Sequence, residues 1–570
     1  MNGAPSARAR SGVKFAVGMR VDARESGAVL FLEPWSMKQV LSQPRNVFAT
    51  ANAAQSALLV DARDYYCAVY RALEQAEHYA VLSGWQFDSG VALLRGEDAE
   101  RAERPVTLLK FLSALCDERP QLSIYLLAWD FSFAYLQERE WMQGLKFGFS
   151  TNPRLRFEWD EHPVLGASHH QKFVVVDGAV GFLGGIDICD ARWDDCHHSA
   201  SNPNRVDLAG GACKPYHDVQ AAITGPAVEP LVQEFRDRWQ RATGDRLALD
   251  PARDQTRARY DLDALCEGRA APIGARSVAF SRTRQDPRAE PVEVNEILHL
   301  LTDAFGAAER SIYAETQYFT SRSIASALIE RLRDDARPKL DIVICMPHGS
   351  DSPKEKLALG DTQEAVLYAL LETARETGHE LRLIYPAKPN AEGGETPTFI
   401  HSKLLIVDDQ LLMVGSPNLT ERSIGLDSEI AITWQCTNEH DDRDARSCVR
   451  NVRTRLLAEH SGLPASEFEL ERGLSAKIDE ILAGGTSNLR RRPVTDAGPL
   501  GPLMARIFDP ADSPLADAPA NGSAVAIGGA DRDHWFVSGI QGLAERLRPR
   551  PPAPRAPGRA AASKDERATD

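Results

Sequence analysis

The chain has 570 residues, 43% of them hydrophobic and 26% charged, a composition that supports a sizeable core and excludes wholesale disorder. The formal charge of −15 repels polyphosphate, so nucleic acid is disfavoured as a substrate. No window approaches the roughly 20 apolar residues of a bilayer span, and Met1 to Val21 lacks a continuous apolar stretch, so a soluble chain without a cleaved signal is expected.

In chain order, an N-terminal extension (1–40) leads into a first lobe (41–245) of alternating helix and strand. Helical spacing around Tyr66 to Glu77 precedes an apolar strand at Tyr79 to Leu82. Val106 to Leu115 predicts another helix, Leu122 to Trp129 a strand, and Phe173 to Val176 a strand covered on both faces. Thr243 to Asp286 is polar and rich in Arg, Asp and Gly, which predicts a connector, bounded at 246–286. A second lobe (287–484) opens with helical spacing at Val292, Leu298, Leu301 and Ala304. Strands follow at Ser311 to Ala314, Leu340 to Cys345, Leu381 to Tyr385 and Leu404 to Val407. From 485 to 570 the pattern fades into Gly, Pro and Ala, and a largely disordered tail is expected. The class is α/β.

The two lobes are related by an internal repeat. His170-Gln171-Lys172 and Asp177, followed by Gly184-Gly185-Ile186-Asp187, recur as His401-Ser402-Lys403 and Asp408, followed by Gly415-Ser416-Pro417-Asn418, at a constant offset of 231. Upstream, Tyr79 to Phe87 lies on Ser311 to Phe319 at an offset of 232. In each His-x-Lys-x4-Asp motif, strand alternation puts His and Lys on one face, where imidazole and ammonium can both reach one group of phosphate oxygens. The Asp falls where a turn begins.

These paired motifs resemble those of the phospholipase D superfamily, whose two repeats build one active site. Further segments carry the likeness: Gly184 to Asp194, Tyr216-His217-Asp218-Val219, Ile312 to Phe319, and His401 to Ser423 with Asp427-Ser428-Glu429. The likeness as a whole covers about residues 60 to 440. Thr316 and Pro417 stand where the family more often has Asn and Ala.

The resemblance implies two homologous lobes, each a mixed sheet flanked by helices, packed with pseudo-twofold symmetry. It also implies a metal-independent phosphodiesterase that works through a phosphohistidine. Lys172 and Lys403 would stabilise the charge redistributed over the phosphoryl oxygens. His170 would attack phosphorus, and His401 would serve as general acid and then base. Glu429 is expected to orient His401, and Asp218 to orient His170, each by accepting from the second ring nitrogen. Asp177 and Asp408 are expected to fix the turns after the motif strands.

Asn418, Ser416 and Gly185 are candidates to approach substrate, and Asn418 can donate to a phosphate oxygen without adding charge. Its repeat partner Asp187 is expected to face Arg192. Trp85 and Gln317, which correspond across the repeat, are candidates for a headgroup pocket, with Trp85 as a cation–π partner for choline or a core aromatic.

The nine cysteines are odd in number and scattered, which fits reduced thiols in a cytosol. Cys189, Cys196, His197, His198, Cys213 and His217 raise the question of zinc, but no C-x2-C pair is present, so buried or loop thiols and no metal are expected. The expected activity is hydrolysis of glycerophospholipids at a membrane surface, with water or an alcohol as acceptor, no cofactor, and a monomer because one chain holds both motifs. A cytoplasmic, membrane-peripheral protein is expected, with signal-independent export left open. Alternatives are a cardiolipin-synthase-type phosphatidyltransferase, a superfamily nuclease and an inactive lipid-binding scaffold.

Overall fold

Phe173–Val176 is buried at every residue because its two faces meet different cores. Phe173 and Val175 join a cluster shared by both lobes, whereas Val174 and Val176 join one built from the first lobe with Tyr260, Leu262, Leu265 and Cys266 of the following segment. Leu404–Val407 repeats the pattern in the second lobe, with Leu404 and Ile406 facing the shared cluster. The computed structural model describes residues 37–130, 147, 152–164, 166–250, 259–349, 359–436, 443–470 and 473–494.

The strands of the first half are β1 (Ala49–Asn52), β2 (Ser56–Val60), β3 (Tyr79–Gly84), β4 (Ser123–Asp130), β5 (Leu155–Glu161), β6 (Phe173–Val176), β7 (Val180–Gly184), β8 (Tyr216–His217), β9 (Val219–Thr224) and β10 (Ala271–Pro272). Those of the second are β11 (Ser277–Gln285), β12 (Glu293–Asn295), β13 (Ser311–Glu315), β14 (Asp341–Cys345), β15 (Glu380–Pro389), β16 (Glu395–Pro397), β17 (Phe399–Ile400), β18 (Leu404–Val407), β19 (Leu411–Gly415), β20 (Glu429–Gln435) and β21 (Leu489–Arg491). One sheet runs β10-β2-β9-β7-β6-β3-β4-β5 and the other β1-β11-β20-β19-β18-β13-β14-β15-β16. The core order β9-β7-β6-β3-β4-β5 therefore repeats as β20-β19-β18-β13-β14-β15. In both, the last three strands are parallel and the others antiparallel. Helices cover the sheets, among them Asp61–Glu74 and Leu108–Glu118 on the first lobe, and Glu229–Thr243 and Arg443–Ser461 on the shared cluster.

The lobes exchange strands. β1, which immediately precedes β2, pairs with β11 of the second sheet, while β10, which precedes β11, pairs with β2 of the first. The segment read as a connector thus contains a nine-residue strand of the second sheet. Its polar half stays in the sheet because Arg282 pairs with Glu234 and Glu296, and Arg284 donates to the Pro291 carbonyl. The stretch read as tail adds β21 on β15 before residue 494. The rest of that tail and residues 1–36 lie outside the described residues. No helix among the described residues is long and apolar enough to cross a membrane.

Candidate active site

The two motifs sit where the lobes abut. His170 donates its backbone N–H to the Ser428 carbonyl at 2.8 Å, and His169 bridges Ser428 in parallel register. On the opposite side β17 pairs in parallel with β8, and the His401 N–H reaches the His217 carbonyl at 2.8 Å. Each motif histidine is thereby laid against the other lobe, one residue away from a carboxylate at or just before the start of a strand there.

This crossing corrects the expected pairing. His170 Nδ1 lies 3.0 Å from Glu429 Oε2, and His401 Nδ1 lies 2.6 Å from Asp218 Oδ2. The pairing suggested by the resemblance put each carboxylate with the histidine of its own lobe. In the folded chain Asp218 precedes β9 and Glu429 begins β20, equivalent places in the two sheets, and both point across the junction. Both carboxylates are buried and lie at Nδ1 of their imidazoles, and among the described residues no hydrogen bond engages either Nε2.

The lysines differ from one another. Lys172 Nζ donates to the His170 carbonyl at 3.1 Å and forms an ion pair with Asp187 Oδ2 at 3.1 Å. Asp187 was expected to face Arg192. Instead it binds Lys172 and accepts the Trp85 N–H at 2.9 Å, while the Arg192 guanidinium stacks over Tyr216. Lys403 Nζ donates to the His401 carbonyl and lies 3.4 Å from Gln317 Oε1. Among the described residues no carboxylate lies within ion-pair distance of Lys403. Burial pushes its ammonium down to about 7, although the Asp218 charge works against that shift.

Burial and the cations Lys403, Arg192 and Lys172 also hold His401 well below the usual imidazole range, and burial pushes Asp218 up to about 6. His170 also acts on His401, which places both imidazoles in one electrostatic site.

The remaining candidates divide by what they touch. Asp177 accepts the N–H groups of Glu77, His78 and Tyr79 at 2.8–2.9 Å and the Tyr260 hydroxyl at 2.8 Å. Asp408 does the same for Glu309, Arg310 and Ser311 at 2.7–2.9 Å. Each occupies a left-handed conformation, φ +51° and +57°, in the hairpin after its motif strand, and ties that hairpin to the start of the neighbouring antiparallel strand, β3 or β13.

Ser416, a candidate for substrate contact, gives its hydroxyl to Glu429. Gly185 is its repeat partner, and a Cβ there would come 2.3 Å from Asp218 Oδ1, so this glycine makes room for the carboxylate that orients His401. Both residues therefore shape the carboxylate supports. Asn418 is buried, and among the described residues its Oδ1 has no hydrogen-bond partner. Trp85 packs against Trp129 with ring centroids 5.6 Å apart, and Gln317 also donates to the Tyr318 hydroxyl at 2.9 Å.

Sequence reasoning passed over Glu315. This buried carboxylate accepts from the Ser402 hydroxyl at 2.5 Å and lies 3.0 Å from His217 Nε2. An acidic residue closing the apolar strand Ser311–Glu315 was the available signal.

Residues 158–334 match the family described as phospholipase D, and residues 301–443 match the one described as the phospholipase D-like domain of cardiolipin synthase. Phospholipase D alpha 4 of Arabidopsis thaliana is 23% identical over 74% of this chain and 66% of its own length. Phospholipase D alpha 2 of Oryza sativa is 25% identical over 70% of this chain and 64% of its own. The chain thus spans just under two-thirds of these curated relatives. Among solved structures, a phosphatidylserine synthase of Haemophilus influenzae aligns with a TM-score of 0.47 and 15% identity, over 77% of this chain and 96% of that one.

Proposed function

The chain belongs to the phospholipase D superfamily, and on that premise we propose that it hydrolyses the distal phosphodiester of glycerophospholipids to phosphatidic acid and a headgroup alcohol. The observation that supports this reading is the pair of His-Lys motifs in one chain, each imidazole held at Nδ1 by a buried carboxylate of the other lobe.

In the proposed reaction, His170 Nε2 attacks phosphorus while the bond to the headgroup oxygen breaks, and that oxygen takes a proton from His401. Water or an alcohol then gives a proton to His401 as it attacks the phosphohistidine, releasing phosphatidic acid or a transphosphatidylation product and restoring His170. Lys172 and Lys403 bear on the non-bridging oxygens throughout. His401, held neutral by burial and its cationic neighbours, takes up a proton from solvent as the anionic phosphate offsets Lys403, Arg192 and Lys172. That same neutral state favours a second assignment in which His401 attacks. Mapping the trapped phosphoryl adduct separates the two, because His401→Ala retains an adduct on His170 only if His170 is the nucleophile.

We assign the substrate to a membrane surface, with the protein peripheral to it, acting as a monomer without a cofactor. Incubation of the pure protein with mixed phospholipids and ethanol, followed by mass spectrometry, tests the activity. Phosphatidic acid and phosphatidylethanol are expected. A product in which two lipids share a headgroup, without phosphatidic acid, would replace hydrolysis by the transfer reaction that the match at 301–443 favours. Intact lipids would sink both.

A further inference from the structure

A second convergence of buried side chains lies beside the His401 half-site and takes no part in the reaction above. Asp61 opens the helix Asp61–Glu74, His198 and His217 flank the loop before β9, and Glu459 comes from the helix Arg443–Ser461 of the second half. Their inward atoms form a closed ring. Asp61 Oδ1 to His217 Nδ1 is 3.1 Å, His217 Nδ1 to Glu459 Oε1 is 3.0 Å, Glu459 Oε1 to His198 Nε2 is 3.2 Å, and His198 Nε2 to Asp61 Oδ2 is 3.4 Å.

Of these four approaches only His198 Nε2 to Glu459 Oε1 has the geometry of a hydrogen bond. Asp61 is 1% exposed, yet among the described residues neither of its carboxylate oxygens has a hydrogen-bond partner, and neither does Nδ1 of the fully buried His217. Two polar side chains are thus aimed inward and left unsatisfied, at a cost that a native interior rarely bears. Donor atoms bound to one ion at about 2.0–2.1 Å in a tetrahedron stand about 3.3–3.4 Å apart, near the separations in this ring.

The outward nitrogens support the same reading. His198 Nδ1 lies 2.9 Å from Asp194 Oδ2, and Asp194 is held by Arg205 at 2.8 Å. His217 Nε2 lies 3.0 Å from Glu315 Oε2. A carboxylate behind each imidazole sets the tautomer that turns the opposite nitrogen's lone pair inward, the usual support of a metal-binding histidine. From the donor set, its unsatisfied atoms and these outer carboxylates, we propose that Asp61, His198, His217 and Glu459 bind one zinc-type divalent cation. Of the Cys/His segment noted in the sequence, only the two histidines take part, joined by two carboxylates distant in the chain.

The site would be structural. It joins the first half to the second, and the Asp61 N–H donates to the Asp218 carbonyl at 2.8 Å. Asp218 also follows His217 directly, so the ion would brace the carboxylate that orients His401 without touching substrate.

The test is metal analysis of the full chain, purified without chelator from zinc-supplemented cells. About one zinc per chain is expected, falling at least tenfold in Glu459→Gln and in His198→Gln. Protein grown with cobalt should show the visible absorption of a tetrahedral site. Metal-depleted protein should gain melting temperature on addition of zinc chloride. Because the variants could fail to fold, cobalt absorption and thermal shift are read on the unmutated chain. Absence of bound metal with no cobalt spectrum and no thermal shift would overturn the proposal and leave a cluster closed by protons alone. Stoichiometric zinc that persists in both variants, folded by circular dichroism, would place the ion elsewhere and overturn it equally.

Discussion

The two half-sites carry the same motif and are wired differently. In the first, Lys172 has a permanent counter-charge in Asp187, and the His170 side chain is 19% exposed. In the second, Asn418 occupies the repeat position of Asp187, Lys403 meets a neutral amide of Gln317, and the His401 side chain is 11% exposed. A lysine already neutralised has little to gain from an arriving phosphate, whereas one held near neutrality by burial gains a partner and its proton together. Duplication has supplied the same motif geometry with two different wirings, and under the proposed function the larger share of phosphate recognition would fall to Lys403.

The strongest way to break this contrast is to remove the lysines. Lys403→Met should lower kcat by orders of magnitude, and Lys172→Met by less, because its charge is partly spent on Asp187. Steady-state kinetics on one lipid substrate checks the order, and equal losses would dissolve the asymmetry.

Removing the orienting carboxylates comes next. Asp218→Asn and Glu429→Gln should each cost about 10²-fold in kcat, within the range of acid–base help, and trapped-adduct mapping should show Asp218→Asn impairing the step that depends on His401. An effect on His170 instead would restore the pairing expected from sequence.

A subtler pair exchanges the wiring. With Lys403 at about 7, kcat/KM should fall as pH rises through that value, because the free enzyme loses the ammonium. Asn418→Asp should move this alkaline limb upward and lower the plateau, as a carboxylate both stabilises the ammonium and repels phosphate. The stability sign runs the other way. A lysine whose pKa is depressed by folding destabilises the fold fully below the depressed value, and the cost fades as pH rises toward about 10.4. Lys403→Met should therefore raise Tm at pH 7 and do so less at pH 10, measured by scanning calorimetry.

The smallest difference separates the motif aspartates. Asp177→Ala should destabilise by about 1 kcal/mol more than Asp408→Ala, since it also strands the Tyr260 hydroxyl. Denaturant titration of both variants measures that gap.

Much of this was legible in the chain itself. Apolar runs such as Phe173–Val176 and Leu404–Val407 announced buried strands because both faces of each are covered, and local pattern is enough to say so. The constant offset of 231 exposed the duplication, and residue types alone pointed to phosphate chemistry at two His-Lys pairs. Tertiary structure decided what depends on distant partners. Arg282 and Arg284 made a polar stretch read as connector, when Arg282 pairs with the buried Glu234 and Arg284 caps the Pro291 carbonyl within a strand. The crossing of Asp218 to His401 and of Glu429 to His170 follows from how two lobes abut, which no spacing within one lobe encodes. Asp61 and Glu459, nearly 400 residues apart, reach the same two histidines only because the halves share one core, and electrostatic consequences of that kind belong to the fold.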